Sequence, residues 1–216
     1  MRINTNHRGG LSFLEVAVIL VTVVLVVGFL WPLFHRPRPT NRGRIRCVNN
    51  LKQVGLAFRL YANDHGDQFS FRVSNEFAGT IDFVNSPQVF RHYQAMSNEL
   101  NTPKILVCPS DPQRFRATNF LGSFGNSNIS YFVGLDADET EPERLLSGDR
   151  NITGGRLSNG FLRVLRTNSL AGWTATIHTN AGNIGLADGS VQQMMPATLR
   201  RQLQMQTFND IRLAIP

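Results

Sequence analysis

The chain carries none of the short signatures that mark common catalytic sites. It has no Gly-x-Ser-x-Gly, no His-Glu-x2-His, no phosphate-binding loop and no dinucleotide fingerprint. Each of those patterns fixes a nucleophile, a metal or a phosphate at set spacing, so the usual enzyme classes drop out and no catalytic residue is expected. There is no internal repeat. Cysteine is scarce, with only Cys47 and Cys108. Two cysteines with no histidine near them in the chain are too few ligands for zinc. They leave two readings: a disulfide if the domain is exported, or two separate buried thiols. A bridge closing about 60 residues would stabilise the fold by roughly 3–4 kcal/mol on the chain-entropy model.

Formal charge is missing from Val16 to Phe34, a run of 19 residues. As a helix it would cover roughly 28 Å, near the thickness of a bilayer hydrocarbon core. Before it stand Arg2, His7, Arg8 and Gly9-Gly10, then Leu11-Ser12-Phe13-Leu14-Glu15. A basic leader, a glycine and a glutamate five residues beyond resembles a type IV prepilin signal. The resemblance covers residues 7–34 and rests on the Gly10/Glu15 spacing. It implies cleavage after Gly10 by a prepilin peptidase and N-methylation of Leu11. It also implies a helix that anchors the protein in the membrane and then forms a fibre core, with Glu15 paired to the amine of a neighbouring subunit. Leu11 stands where the family usually has Phe, and Ser12-Phe13-Leu14-Glu15 where Thr-Leu-Ile-Glu is usual. Two other readings stand beside it. A secretory signal peptide has a shorter core and a small-x-small cleavage site, which does not follow here. A plain N-terminal anchor would carry Glu15 by chance.

The arginines conflict with the resemblance over orientation. Arg36, Arg38, Arg42, Arg44 and Arg46 follow the apolar run, and the positive-inside rule would place them in the cytoplasm. The prepilin resemblance places them outside. The formal charge is +7 over 216 residues, and loss of the leader would remove Arg2 and Arg8. A basic balance suits nucleic acid, acidic glycans or anionic lipid headgroups, but arginines lying at a membrane surface account for most of it.

Prolines 32, 37 and 39 predict a bend or break. Ile45, Val48, Leu51, Val54, Phe58 and Tyr61 then recur at helical spacing, and Thr40 or Asn41 can cap that helix. Gly66 suits the left-handed position past its end. Ser86-Pro87 opens an expected helix to about Leu100. Short strands are expected at 105–108, 129–135, 183–187 and 190–194. Phe161 to Leu165 alternates loosely. The last two strands meet at Asp188-Gly189, read as a two-residue type I′ turn. Pro196 opens a final helix to about Phe208.

A second resemblance spans more of the chain. Cys47-x2-Asn50-Leu51-Lys52-Gln53-x-Gly55-Leu56-Ala57 with Tyr61-x2-Asp64-x-Gly66, then Cys108-Pro109-Ser110-Asp111, Ser130-Tyr131-Phe132-Val133, Ser147-Gly148-Asp149-Arg150-Asn151, and His178 followed by Asp188-Gly189 are similar to segments of one family. That family comprises prepilin-like, pseudopilin-flavoured proteins with a C-terminal His-x9-Asp-Gly segment, abundant in Planctomycetes and Verrucomicrobia. It implies no established molecular activity. Ser190 stands where a second histidine is frequent, which weakens a two-histidine metal site. His178 and Asp188 are candidate ligand or metal residues if strands at 174–179 and 184–187 are neighbours. The bland reading is a hairpin turn, with His178 bonded to the loop at 179–182. Asp136, Asp138, Glu139, Glu141 and Glu143, with Asp188 nearby, are a candidate calcium site, since calcium takes six to eight oxygens. A solvated acidic loop is the plain alternative. No other cofactor is expected.

These readings combine into an α+β, pilin-like protein. A long N-terminal transmembrane and amphipathic helix, broken near Pro32–Pro39, would pack on an antiparallel sheet. The leader would be 1–10, the transmembrane helix 11–34 and a Pro/Arg-rich hinge 35–42. The exported domain would be 43–216, with the His-x9-Asp-Gly segment at 178–189. The expected function is a structural subunit of a pseudopilus or type II secretion-related envelope assembly, held in the inner membrane by one pass with its N-terminus cytoplasmic. Its partners would be that membrane, the prepilin peptidase and other pilin-like subunits, with nucleic acid not expected among them. The rival is a monomeric anchored module that binds a glycan or DNA through its C-terminal loops. Cleavage after Gly10 with extractable oligomers separates the first from the second.

Overall fold

The structure, a computed structural model, describes residues 13–34, 41–207 and 209–216. Two compact units result, one up to Thr40 and one from Asn41 to Pro216. The described part of the first is helix α1, Phe13–Phe34. From Phe13 to Gly28 its side chains are mostly apolar and exposed, Phe13 at 91 % and Leu25 at 65 %. Glu15 lies in its first turn.

The expected transmembrane fold is corrected here. Among the described residues, no helix is long and apolar enough to cross a membrane. Glu15, a carboxylate in the first turn of α1, is a group that is costly to bury in lipid. The amphipathic half expected beyond the break near Pro32–Pro39 is a helix of its own, α2, Asn41–Asp64, in the second unit. The leader, Gly10, Leu11 and residues 35–40 of the hinge lie outside the described residues.

The second unit is α+β. After α2 the chain runs through short helical turns into α3 (Phe90–Gln94) and α4 (Ser97–Leu100). Strands follow: β1 (Tyr131–Gly134), β2 (Leu145–Asp149), β3 (Ile152–Thr153), β4 (Arg156–Ser158), β5 (Leu162–Arg166), β6 (Gly172–Trp173), β7 (Gly182–Leu186) and β8 (Val191–Met194). Helix α5 (Pro196–Gln204) and strand β9 (Asp210–Ala214) close the fold. Seven strands form one antiparallel sheet in the order β4-β5-β9-β1-β2-β7-β8, and β3 pairs with β6 beside it.

Both sheet faces are covered. On β1, Tyr131 and Val133 face α2 while Phe132 faces α5; on β2, Leu146 and Leu145 divide the same way. That is the two-residue period of a strand buried on both sides. Helix α2 supplies Cys47, Leu51, Val54, Ala57, Phe58, Tyr61 and Ala62 to the first core. Each large apolar side chain so buried contributes about 1.5–3 kcal/mol. Leu199 and Leu203 of α5 meet Ile184, Leu186, Ile211 and Leu213 in the second core. Strand β7 presents Ile184 and Leu186 to α5 but only Asn183 and Gly185 toward α2. The small residue lets the Leu51 side chain close on the sheet.

Local expectations change in four places. The 86–100 helix is two helices, divided at Met96, whose ψ of 29 leaves the helical range. Residues 105–108 are not a strand: Thr102 accepts a hydrogen bond from the Lys104 amide and Pro103 opens a 3-10 turn to Leu106. Residues 174–179 are turn and bend, not strand. Ile45 of the predicted stripe is exposed, and Cys47 takes the buried face instead.

Candidate functional site

Five sequence segments that lie far apart in the chain meet in one buried polar nest. Helix α2 points Cys47 into the first core, and the turn after Leu106 brings Cys108 to it, where the two form a disulfide. Local contacts fix this approach. Gly43, one turn before Cys47, passes so close to Ser110 that a Cβ there would meet its hydroxyl. Asn50 donates from Nδ2 to the Val107 carbonyl (3.2 Å), and the Tyr131 hydroxyl donates to the Cys47 carbonyl (3.4 Å).

His178 arrives from the turn before β7. Thr179 and Asn180 both adopt left-handed backbone, with φ of 51 and 60. For a β-branched threonine this costs about 1–3 kcal/mol and persists only where neighbours impose it. The neighbours here are clear. Arg44 of α2 donates to the His178 carbonyl (2.8 Å), and the imidazole Nε2 lies 3.5 Å from Cys108 Sγ and 3.5 Å from Asp149 Oδ2. Asp149, the last residue of β2, is fully buried. Its Oδ2 accepts from the Asn183 amide (2.7 Å) and side chain (2.9 Å), and its Oδ1 has no hydrogen-bond partner.

The next residue, Arg150, donates from Nε and Nη2 to the two oxygens of Asp111 (2.7 and 2.9 Å) and from Nη2 to Gln113. Thus Cys108-Pro109-Ser110-Asp111 and Ser147-Gly148-Asp149-Arg150-Asn151 face each other through one sulfur, one imidazole and one forked ion pair. Burial alone would raise the Asp111 carboxyl, but the Arg150 hydrogen bonds and the Gln113 amide outweigh it and hold it below the usual range. Asp149 has no cation so placed, and burial pushes it up to about 7 against the Asn183 hydrogen bonds. Burial, aided by Arg44, lowers His178 to about 4. At neutral pH the His178–Asp149 contact therefore holds a neutral imidazole beside a carboxyl whose ionisation burial opposes. It is not an ion pair.

The nest brings together Cys47, Cys108 and His178, but not Asp188. His178 and Asp188 lie beyond opposite ends of β7, ten residues apart in sequence, with a strand of five residues or roughly 17 Å between them. Asp188 serves the turn: its Oδ1 accepts from the Ser190 amide (2.8 Å) and its carbonyl from Arg59 of α2 (3.0 Å). The turn is not the expected two-residue type I′. Only Gly189 is left-handed (φ 85), the Gly189 amide donates to the Leu186 carbonyl, and Leu186 to that of Ser190. This is a three-residue hairpin loop with its glycine at the bulge. Gly55 of α2 faces Gly189 closely enough that even a Cβ would lie 3.7 Å from it.

The acidic loop is stitched by arginines. Arg212 pairs with Asp136, Arg72 with Asp138, Arg59 with Glu139 and Arg144 with Glu141, while Gln202 donates to Glu143. Each of these five carboxylates is thus engaged by a side-chain donor of the protein. Sequence reasoning misses Asp149, Asn183 and Arg44 as members of the nest. No local spacing betrays them, since β2 and β7 become neighbours only in the sheet. Comparison with protein-family models, curated proteins and solved structures returned no match.

Proposed function

We propose that this chain is a prepilin-like structural subunit of a pseudopilus or secretion-related envelope assembly, cut after Gly10. The observation that carries this reading is α1. Its described side chains are mostly apolar and exposed. Such a helix needs a cover. Identical α1 helices from other copies would provide one, with Glu15 near the start to meet a neighbouring amine. The Cys47–Cys108 disulfide supports export of the second unit, because reducing compartments keep such thiols free.

The ligand-binding reading has one observation in its favour, a cleft of about 900 Å³ between the Gly66–Arg72 segment and β9. The arginines on its wall, Arg72 and Arg212, are already paired with Asp138 and Asp136. That leaves less for an acidic glycan or DNA to engage, so the structural role is preferred.

Mass spectrometry of the N-terminus, from cells that hold a prepilin peptidase, tests the proposal. The expected result is a chain beginning at methylated Leu11, with Gly10→Leu retaining the leader. A chain that keeps its leader in the unsubstituted protein, or a Gly10→Leu variant shortened as usual, refutes it.

A further inference from the structure

We propose that in its reduced form the nest binds a zinc ion through Cys47 Sγ, Cys108 Sγ, His178 Nε2 and an Asp149 carboxylate oxygen, and that formation of the disulfide expels the ion. The two sulfurs and the imidazole nitrogen all lie within 4.8 Å of one another, and all three residues are buried. Zinc takes such N, S and O donors in a tetrahedron at about 2.0–2.3 Å, which sets ligand atoms roughly 3.3–3.8 Å apart. His178 Nε2 already stands at 3.5 Å from both Cys108 Sγ and Asp149 Oδ2. The two sulfurs, now bonded, have to part, and the Asp149 carboxylate has to close on them to complete the tetrahedron.

A disulfide by itself needs neither a histidine nor a carboxylate beside it. Burying those groups is costly unless they are satisfied, and Asp149 Oδ1 is buried without a partner. Zinc bound through Oδ1, with Oδ2 kept on Asn183, would use that uncommitted oxygen. The surroundings also match what holds metal ligands in place. Asn183 fixes Asp149 through two hydrogen bonds, Arg44 fixes the His178 backbone, and Asn50 holds the segment that carries Cys108. Thiolate with imidazole and carboxylate favours zinc over magnesium or calcium.

The exchange balances as follows. A dithiol reductant gives two electrons to the Cys47–Cys108 bond and leaves as a cyclic disulfide, and the cysteines become thiols. Zinc then replaces both thiol protons, which pass to solvent. In the opposite direction an oxidised disulfide reagent takes two electrons from the thiolates, the sulfur–sulfur bond forms, and zinc departs as the hydrated ion. The same four residues would thus staple α2 to the sheet before oxidation and after it. This inference does not rest on the pilin-like reading.

The test uses the full chain, kept soluble with mild detergent, purified once under reducing conditions and once oxidised. Each form is titrated with cobalt, whose thiolate charge-transfer and visible bands report tetrahedral sulfur ligation, and then with zinc. The reduced chain should take one cobalt with a tetrahedral spectrum and yield it to zinc. The oxidised chain should take none, and a disulfide reagent should release zinc in step with thiol loss. His178→Gln and Asp149→Asn, checked for native circular dichroism, should each weaken zinc binding at least tenfold. No cobalt uptake by the reduced chain overturns the proposal, as does an octahedral spectrum. Undiminished affinity in a folded His178→Gln variant also overturns it. If both variants fail to fold, the uptake and spectrum of the reduced parent chain decide.

Discussion

His178 and Asp188, at the two ends of β7, are ten residues apart in sequence and opposite in chemistry. Before the strand, His178 enters a nest in which sulfur, imidazole and two carboxylates are all withdrawn from water. After it, Asp188-Gly189 makes an exposed turn that rests on α2 through Arg59 and the Gly55 backbone. Both ends dock the same strand on the same helix. Electrostatic energy depends on the dielectric, so an uncompensated charge costs several kcal/mol at the first end while a salt bridge contributes a few tenths at the second. The contrast predicts where substitutions should hurt.

The largest effect is expected at the disulfide. Cys47→Ala with Cys108→Ala reopens a loop of 61 residues in the unfolded chain, which the chain-entropy model values at about 4 kcal/mol. Urea unfolding of oxidised parent and double variant in the presence of a chelator measures it. A loss under 1 kcal/mol would mean that packing of α2 alone carries this end of β7.

The second effect is a hidden pH dependence. Asp149 is raised from 3.8 to about 7 in the folded state, so between those values the folded chain keeps a proton that the unfolded chain has lost. That term makes stability fall as pH rises, by about 1.4 kcal/mol per unit. His178 is lowered from 6.5 to about 4, so between those values the unfolded chain holds the extra proton. That term makes stability rise with pH at the same slope. Between about pH 4 and 6.5 the two oppose each other, and the parent protein should show less pH dependence than either single variant. Asp149→Asn should uncover the His178 slope, with stability lost as pH falls from 6.5 to 4. His178→Gln should uncover the Asp149 slope, with stability lost as pH rises from 4 to 7. Denaturant midpoints over that range, compared between the single variants, measure both, and equal profiles for the two would refute the opposition.

How much of this is legible in the sequence differs between the two ends. The hairpin at Asp188-Gly189 is legible because turn chemistry is local, and only its loop length is misread. Helix α2 is legible from its spacing, and its stop at Gly66 is read from a single residue. The nest is not local. Cys47, Cys108 and His178 invite attention as residue types, but 70 residues separate Cys108 from His178, and nothing at Asp149 says that its strand ends beside them. Strand β9 escapes for a related reason. Ile211 and Leu213 alternate with exposed Asp210 and Arg212, yet its place between β5 and β1 is a property of the whole sheet.

The smallest effects belong to the turn, and they divide by mechanism. Gly189 sits at φ 85, where a side chain is strained, so Gly189→Ala should cost about 1 kcal/mol or somewhat more even though the Arg59 side chain leaves space for the methyl. Arg59→Ala removes the pair with Glu139 and the hydrogen bond to the Asp188 carbonyl. Arg59 is 48 % exposed, water can replace both contacts, and the loss should stay below about 1 kcal/mol and shrink further in high salt. Arg166→Ala, at a pair exposed on both sides, provides the baseline of no measurable change. Thermal or urea unfolding at low and high salt orders the three. If Arg59→Ala proves costlier than Gly189→Ala and insensitive to salt, the turn is held by a buried interaction after all, and the contrast between the two ends of β7 is wrong.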